Sequence, residues 1–290
     1  MSEKDWELLV KRIRQGRCVP FLGAAANISS TAAKYEGTPL GAEVSKKLCT
    51  KLSNQPRDPE NLPRVSLHYE VSWDRPDLDD EVFDIIDARK KLPSPLLALL
   101  AELPFNLIVT TNYDCLMEQA LKDAGQKYRV LVQPPEGFAA DAKELLDLNG
   151  YDGKLVYKMH GTFGDDAVSS SRLILTEDDY IQFLTTVTGT ADRIGVPNKV
   201  FGKLSSSSLL FLGYGLEDWD FRILYRTIIE RQESRGPHKS YAIQKSPPQE
   251  WVKYWSDRRV EIHDYDVYQF ATDLRARYFA PPVNGGAGNA

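Results

Sequence analysis

Residues 18–27 read CVPFLGAAAN, an apolar run of buried-strand type that ends at a glycine and continues into small residues. A helical pattern, PLGAEVSKKLCTKL, follows over 39–52, so this stretch predicts a strand, a turn and a helix. Strand-like apolar runs return in FNLIVTT at 105–111, LVYKM at 155–159 and SLLFL at 208–212. Because helical patterns separate these runs, we expect parallel strands joined by right-handed crossovers, which is an α/β architecture.

Two segments, roughly 53–103 and 177–204, add helical patterns to this alternation. We interpret them as helical insertions that form a small second layer or subdomain on a Rossmann-like, doubly wound parallel sheet. Prolines in the first half of the first insertion indicate loop and short helix there. RLIL at 172–175 indicates a further short strand. Residues 1–280 are predicted to form one domain, and PPVNGGAGNA at 281–290 a flexible tail.

Composition limits the classes of function. The chain has 42% hydrophobic residues, which is enough for a sizeable core, and a net charge of −5, which makes a long nucleic acid an unexpected partner. Its three cysteines have no C-x-x-C spacing, so neither a zinc knuckle nor a disulfide framework is predicted. The N-terminal residues are charged, and no apolar run approaches the roughly 18 residues of a membrane span. We therefore expect a cytoplasmic protein that does not enter a membrane.

Four short segments lie where predicted strands end. They are FLGAAAN at 21–27, TTNYD at 110–114, KMHG at 158–161 and FLGYGLEDWDFR at 211–222. In a doubly wound sheet, ligands bind outside the carboxyl ends of the strands, where such loops gather. The four segments are therefore predicted to build one nucleotide pocket.

Each candidate residue also has a structural interpretation. Small residues after Gly23 would let backbone N–H groups approach a pyrophosphate at the start of the next helix, but a tight packing turn explains them as well. Asn112 could position a ribose hydroxyl or a water, or simply form a turn. Asp114 is more typical of a helix cap. His160 could take a proton from a sugar hydroxyl or be hydrogen-bonded at a strand end, and Tyr214 could stack on a base or close the pocket.

Taken in order, the four segments resemble the Sir2 superfamily. FLGAAAN resembles its GAGxS phosphate loop, TTNYD its T-Q-N-I-D element, KMHG its catalytic H-G, and LGYGLED its G-T-S-L nucleotide turn. The forms TTNYD and LGYGLEDWDFR are particularly similar to the prokaryotic SIR2-like branch found in antiphage defence proteins. The resemblance covers about residues 18–265 and implies a SIR2-like NAD-binding domain over 1–280.

The resemblance also implies roles for individual positions. It implies that Asn112 and His160 are catalytic. The implied nucleotide-binding residues are Gly23, Ala24, Ala25, Asn27, Thr111, Asp114, Gly213, Tyr214 and Gly215. Ala25 stands where the family usually has glycine, Asn27 where it has serine, and Thr111 where it has glutamine. The four-cysteine zinc site of the protein deacylases has no counterpart in this sequence, so we expect no metal.

These implications predict an NAD+ hydrolase, that is, an NAD+ glycohydrolase. The N-glycosidic bond would break through a cationic ribose, nicotinamide would leave, and water would attack C1′ to give ADP-ribose. Asn112 would orient the water or the ribose, and His160 would act as a base. Two alternatives stay open: a non-catalytic sensor or regulatory subunit that binds NAD or ADP-ribose, and a protein deacylase or ADP-ribosyltransferase.

Unrestrained hydrolysis of NAD+ would kill the cell that makes the enzyme. We therefore expect a regulated effector of bacterial antiphage defence that acts by NAD+ depletion. Control is expected through a homo-oligomer or through a separately encoded ATPase or sensor partner.

Overall fold

The computed structural model of the chain describes residues 1–86, 91–139, 150–164, 172–187, 189, 193–216, 221–222, 225–226 and 238–280. The predicted tail at 281–290 lies outside the described residues. All four predicted site segments begin within the described part, and the last of them is described as far as Leu216 and again at 221–222.

Seven of nine strands form one parallel sheet, and the other two pair with each other. In chain order the strands are β1 Cys18–Leu22, β2 Leu107–Thr110, β3 Tyr128–Val132, β4 Phe138–Ala139, β5 Lys154–Lys158, β6 Arg193–Ile194, β7 Ser208–Leu212, β8 Ser240–Gln244 and β9 Val260–Asp264. The small antiparallel pair consists of β4 and β6. These counts apply to the residues described above.

The helices lie between these strands in sequence. The described α-helices are α1 Glu3–Arg14, α2 Gly41–Cys49, α3 Leu62–Ser72, α4 Arg75–Ile86, α5 Pro95–Glu102, α6 Leu116–Asp123, α7 Glu177–Thr186, α8 Asn198–Ser206, α9 Gln249–Ser256 and α10 Val267–Phe279. A single 3-10 turn, Ala24–Asn27, follows β1. None of the described helices combines the length and the apolar character needed to cross a bilayer.

The strand order is β3-β5-β2-β1-β7-β8-β9, and every neighbouring pair in it is parallel. From β1 the chain first builds the side that contains β2, β3 and β5, and then returns to build β7, β8 and β9 on the other side. The point of reversal lies between β1 and β7. This arrangement confirms the predicted α/β, doubly wound parallel sheet, and it places the ligand-binding crevice of such folds beside the carboxyl end of β1.

Apolar residues cover both faces of the sheet. Along β1, Phe21 packs in one cluster with α8 and α9, whereas Leu22 packs in the other with α1, α5, α6 and α10. All residues of β1, β2, β5 and β7 are buried. Strands buried on both faces are continuous rather than alternating apolar runs, which is why the sequence pattern identified them.

A proline occupies the middle of the central strand β1. Pro20 has no backbone N–H, and such a residue is usually confined to edge strands. In β1 it lies opposite Leu210 of β7, and the recorded pairing with β2 begins only at Phe21. The missing N–H of Pro20 therefore lies before the first pair of β1 with β2. The carboxyl end of β1, which leads into the site, stays fully paired.

Helix α2, helices α3 and α4 of the first predicted insertion and helix α7 of the second share a separate small core. Its members are Val44, Leu48, Cys49, Leu52, Val65, Tyr69, Leu78, Val82, Ile86, Leu173 and Leu175. The buried carboxylate of Asp179 joins the two insertions, because its Oδ2 lies 2.7 Å from Arg75 Nη1 and its Oδ1 3.0 Å from Arg172 Nη2. We call α2, α3, α4 and α7 the helical unit. Helix α5, although inside the first predicted insertion, packs instead against α6 and α10 beside the sheet.

As predicted, the proline-rich part of the first insertion is loop and helix, whereas the prediction of a strand at 172–175 was wrong. The proline-rich part of the first insertion contains α3, an 11-residue helix, in which Asn61 caps the Arg64 amide at 3.1 Å and Pro63 lies in the first turn. Proline is tolerated there because the first amides of a helix have no intrahelical acceptor. Residues 172–175 form no strand; the Ile174 amide instead donates to the His160 carbonyl at 2.9 Å.

The turns after β1 and β7 meet at the point of reversal. The Gly23 amide donates to the Leu212 carbonyl at 2.9 Å, and the Ala25 amide to the Gly213 carbonyl at 3.1 Å. A Cβ on Gly23 would lie 2.5 Å from the Gly213 oxygen, and a Cβ on Gly213 would lie 2.6 Å from the Ala25 carbonyl carbon. Gly213 also has a φ of +77°, which disfavours other residues. Both glycines are therefore required by the contact between the two turns.

Gly213→Ala should lower the free energy of unfolding more than Gly125→Ala. Both glycines have positive φ, +77° and +65°, so both changes incur a backbone cost of roughly 1–2 kcal/mol. Nothing lies within 4 Å of a Cβ at Gly125, whereas at Gly213 overpacking adds about 1–3 kcal/mol. Urea denaturation of the two variants measures the difference. Equal losses of unfolding free energy in the two variants would show that the turns after β1 and β7 can move apart without cost.

Candidate functional site

The carboxyl ends of four adjacent strands, β5, β2, β1 and β7, open into one cavity of about 690 Å³. Its volume is within the range of roughly 300–1,000 Å³ that is typical of small-molecule sites. The helical unit forms the opposite wall, where Leu40, Val44, Leu62, Ile86 and Leu184 lie. The cavity therefore lies between the sheet edge and the helical unit.

Nine of the eleven predicted site residues line this cavity. They are Ala24, Ala25, Thr111, Asn112, Asp114, His160, Gly213, Tyr214 and Gly215. Gly23 and Asn27 do not line it. Gly23 lies against Gly213, and Asn27 is buried behind the turn with 1% of its surface exposed.

The turn after β1 differs from a helix N-terminus. It is one 3-10 turn, and the next α-helix, α2, begins only at Gly41. The amides of Gly23, Ala25 and Ala26 already donate to backbone carbonyls at 2.9–3.1 Å. Those three donors are not available to a phosphate, so the turn shapes the cavity wall more than it supplies an anion cradle.

Asn112 is anchored to the turn after β1. Its backbone N–H donates to Thr110 Oγ1 at 3.0 Å, and its side-chain Nδ2 donates to the Gly23 carbonyl at 3.2 Å. Because a carbonyl only accepts hydrogen bonds, the amide nitrogen must face Gly23, which directs the amide oxygen away from it. Asn112 thus enters the cavity as a fixed side chain with an acceptor oxygen.

Asp114 combines a structural contact with a place in the cavity wall. Its Oδ1 accepts from the Leu116 amide at 3.0 Å, at the start of α6, and its Oδ2 accepts from Asn27 Nδ2 at 3.3 Å. Burial raises the pKa of Asp114, while the positive charge of Lys158 opposes that increase. The carboxyl group is therefore held in place by the helix start and by the residue behind the β1 turn.

His160 lies two residues after the end of β5 and is buried, with 6% of its surface exposed. The Tyr180 hydroxyl lies 3.5 Å from its Nδ1, and the rings of Tyr180 and Phe183 pack edge-on against it at 5.2 and 5.6 Å. Burial lowers the pKa of His160 to about 3. The imidazole is consequently neutral near pH 7 and has a nitrogen able to accept a proton, although as a weak base.

Thr111, which follows β2, and Tyr214, which follows β7, form the cavity wall beside β7. The Thr111 hydroxyl and the Tyr214 hydroxyl are 2.8 Å apart, and the Thr111 amide donates to the Leu22 carbonyl at 3.1 Å. The Tyr214 ring packs against Phe21 and Phe221 at centroid distances of 5.6 and 5.0 Å. In this arrangement Tyr214 closes the cavity wall.

Sixteen of the 25 cavity residues were not predicted, among them Thr38, Pro39, Leu40, Tyr180 and Phe183. The first three follow Gly37, which has room for no side chain because the backbone of Asn27 and Ile28 lies against it. The glycine-x-proline string before α2 was the available signal. Tyr180 and Phe183 have helical spacing, which is equally typical of core residues, so no sequence signal distinguished them.

A SIR2-like domain family model matches residues 106–263, which is more than half of the chain. The chain belongs to the SIR2-like family. The matched part of this SIR2-like chain extends from just before β2 to the end of β9 and includes Asn112, His160 and the turn after β7. The predicted family membership is therefore confirmed.

Curated relatives also match. The chain is 26% identical over 228 residues to NAD(+) hydrolase ThsA of Cytobacillus dafuensis, which covers 77% of this chain and 41% of that protein. It is 26% identical over 240 residues to NAD(+) hydrolase ThsA of Acinetobacter baumannii, covering 79% of this chain and 43% of that protein. Defense-associated sirtuin 2 of Bacillus subtilis is 24% identical over 160 residues, which are 54% of this chain and 14% of that protein. The chain thus spans less than half the length of these relatives.

Among solved structures, a Sir2 homologue in an ADP-ribose complex aligns with a TM-score of 0.48 and 12% identity over 96% of both chains. A Sir2 mutant with a p53 peptide and NAD aligns with a TM-score of 0.45 and 15% identity over 94% of this chain and 97% of that chain.

One group of potential metal ligands occurs among the described residues, formed by Asp5, Glu261 and His263. None of the three lines the cavity. Lys239 lies between the carboxylates, with Nζ 2.6 Å from Asp5 Oδ1 and 2.5 Å from Glu261 Oε1. The group is best explained as an ion-pair network that joins α1 to β9.

The stability of the protein should depend on His160 at acidic pH. Because its pKa falls from 6.5 to about 3 on folding, the unfolded chain binds a proton that the folded chain does not as pH falls from about 6.5 toward 3. The free energy of unfolding should therefore decrease over that window by up to about 1.4 kcal/mol per pH unit from this residue. In His160→Gln this contribution should be lost. Equal pH slopes in the two proteins, measured by chemical denaturation, would contradict the buried neutral imidazole.

Proposed function

We propose that the protein is an NAD+ hydrolase that cleaves the nicotinamide N-glycosidic bond to give nicotinamide and ADP-ribose. The observation that carries the proposal is the convergence of Asn112 and His160 on one 690 Å³ cavity with the turns after β1 and β7. Membership of the SIR2-like family supports it. So do the relatives named NAD(+) hydrolase, which share about a quarter of their aligned residues with this chain.

The charges of the cavity suit a substrate whose reacting part is cationic. Glu60 and Asp114 line it, and no lysine or arginine does among the described residues. The nicotinamide ring of NAD+ carries a positive charge, which moves to the ribose as the glycosidic bond breaks. The buried carboxylate of Asp114 stabilises such a charge more than water does, whereas Glu60 is exposed and pairs with Lys46. The pyrophosphate would then rely on backbone amides and neutral hydroxyl donors.

In the proposed reaction, the electron pair of the bond between C1′ and nitrogen leaves with nicotinamide. The oxocarbenium ion that remains takes up water at C1′, and the proton of that water passes to solvent, directly or through His160. Because the cation is strongly electrophilic, the weak base His160 is sufficient. The fixed amide of Asn112 offers its oxygen to the water or to a ribose hydroxyl and so sets the direction of attack.

Asn112→Ala and His160→Ala should each reduce nicotinamide release from NAD+ by at least about 100-fold. The first change removes the group that orients the water or the ribose, and the second removes the group that accepts a proton. Asn54→Ala and His68→Ala are matched controls, since neither residue lines the cavity. They should keep the wild-type rate. Chromatography of nicotinamide and ADP-ribose measures the effect, and circular dichroism shows whether each variant is folded.

Full activity in both cavity variants would disprove these roles. Calorimetric binding of NAD+ without any product would favour the sensor alternative, for which the internal hydrogen bonds of the β1 turn are the supporting observation. ADP-ribose attached to a protein, or loss of a lysine acyl group, would instead indicate a protein-modifying enzyme, and mass spectrometry of the products detects either change.

The proposed function includes control by assembly, as a cytoplasmic effector of antiphage defence that depletes NAD+. The relative named Defense-associated sirtuin 2 supports the defence role. Support for self-association comes from the helical unit, where Val71, Trp73 and Ile181 are 79%, 59% and 58% exposed. Apolar side chains that form a contiguous exposed patch are typical of interaction surfaces. A separately encoded ATPase or sensor remains the alternative source of control.

Trp73→Glu should lower the molecular mass measured by light scattering on a sizing column, because a charge would enter the proposed subunit contact. Asp58→Glu, in the exposed loop before α3, is the control and should leave the mass unchanged. The same samples should be incubated with NAD+, alone and with the product of the neighbouring gene. A fully active wild-type monomer would refute control by self-assembly.

A further inference from the structure

A buried lysine lies beneath the floor of the cavity. Lys158 is the last residue of β5, two positions before His160, and its side chain is fully buried. Its Nζ donates to Glu118 Oε1 at 3.0 Å, to the Tyr113 carbonyl at 3.4 Å and to the Asp114 carbonyl. An ammonium group has three N–H donors, so these three acceptors use all of them.

All three acceptors belong to the segment that follows β2. The last paired residues of β2 and β5 are Thr110 and Lys158. Directly after this pair, both segments form part of the cavity wall. Beyond that pair, the ammonium of Lys158 joins the end of β5, which carries His160, to residues 113–118. Asn112 immediately precedes that segment. The lysine therefore joins the two chain segments that carry the proposed catalytic residues.

More acidic than basic groups surround Lys158. The acids Glu118 and Asp114 lie beside one lysine, and Glu118 Oε2 is buried without a partner among the described residues. Burial by itself would lower the pKa of Lys158, but Glu118, Cys115 and Asp114 hold it above its ordinary value. The lysine is therefore an ammonium ion. Buried ion pairs are costly to desolvate and often no better for stability than apolar residues, so stability alone is a weak reason for this cluster.

We propose that Lys158 is a positioning residue for the reaction at this site, where its ammonium fixes the segment after β2 against the end of β5 and places a positive charge beside Asp114 at the cavity wall. This inference rests on the proposed NAD+ hydrolysis. An ionised Asp114 would face the ribose cation, and a protonated one would not stabilise it.

The groups that act on the charge of Asp114 come from several elements. They are Lys158 on β5, Glu118 on α6, Cys115, which follows Asp114 in sequence, and Tyr35 on the loop after β1. The side-chain amide of Asn27 also contacts Asp114. Burial raises the pKa of Asp114, Lys158 lowers it and Glu118 raises it. Replacing Lys158 should therefore raise this pKa further, and replacing Glu118 should lower it.

The test compares Lys158→Met and Glu118→Gln by the pH dependence of NAD+ hydrolysis. The rate should fall as pH falls through the pKa of Asp114. In Lys158→Met this acidic limb should move to higher pH by about one to three units, with kcat reduced more than KM changes. In Glu118→Gln the limb should move to lower pH. Burial alone lowers the pKa of His160 to about 3, so a limb that arises from His160 should not shift in opposite directions in the two variants.

A purely structural lysine predicts a different result. Both variants would then lose stability and activity without opposite shifts of the limb, and shifts in the same direction or none at all would overturn the proposal. Lys158→Met leaves Glu118 buried without its partner and could unfold. The double variant Lys158→Met with Glu118→Gln removes both charges, and it should fold with the limb between those of the single variants.

Carboxyl carbon NMR of protein labelled at aspartate follows Asp114 without any turnover, and Asp114→Asn assigns the resonance. Opposite shifts of the Asp114 titration in the two variants would support the role of Lys158 even if the wild-type protein does not hydrolyse NAD+. In that outcome the proposed function fails and the electrostatic part of this inference stands. An Asp114 titration that is the same in all variants would overturn it.

Discussion

The turns after β1 and β7 approach each other so closely that neither Gly23 nor Gly213 has room for a Cβ. This contact is possible because the two strands are neighbours at the point where the strand order reverses. It uses the amides of Gly23 and Ala25 in hydrogen bonds between the turns and directs Ala24, Ala25 and Gly215 toward the cavity. The Gly23 carbonyl in turn receives the Asn112 amide. The position of the proposed catalytic asparagine thus depends on the same contact.

Burial determines the chemistry on the other side of the cavity. It keeps His160 neutral, raises the pKa of Asp114 and requires Lys158 to make three hydrogen bonds beneath them. The helical unit contributes to this burial, because Tyr180 on α7 packs against His160. Asp179, on the same helix, pairs with Arg75 of α4 and so fixes α7 to the rest of the unit. Residues far from the proposed reacting atoms therefore affect the charge states at the site.

Much of the fold could be predicted because strands that are buried on both faces are continuous apolar runs, as in SLLFL and CVPFL. Prediction failed where a local signal had two interpretations. RLIL at 172–175 was interpreted as a strand, although its Ile174 amide donates to the His160 carbonyl. The error arose because a four-residue pattern does not specify which partner its backbone will find.

The sequence by itself determined the parallel α/β class, the four strand-end segments and the order in which they occur, since these follow from apolar runs and turn residues that are local in the chain. Only the tertiary structure decided that Gly23 and Asn27 lie behind the wall and not in it. It also decided that Tyr180 reaches His160 and that Lys158 joins β5 to the segment after β2. The physical reason is that burial, and hence charge state, depends on contacts between residues far apart in sequence.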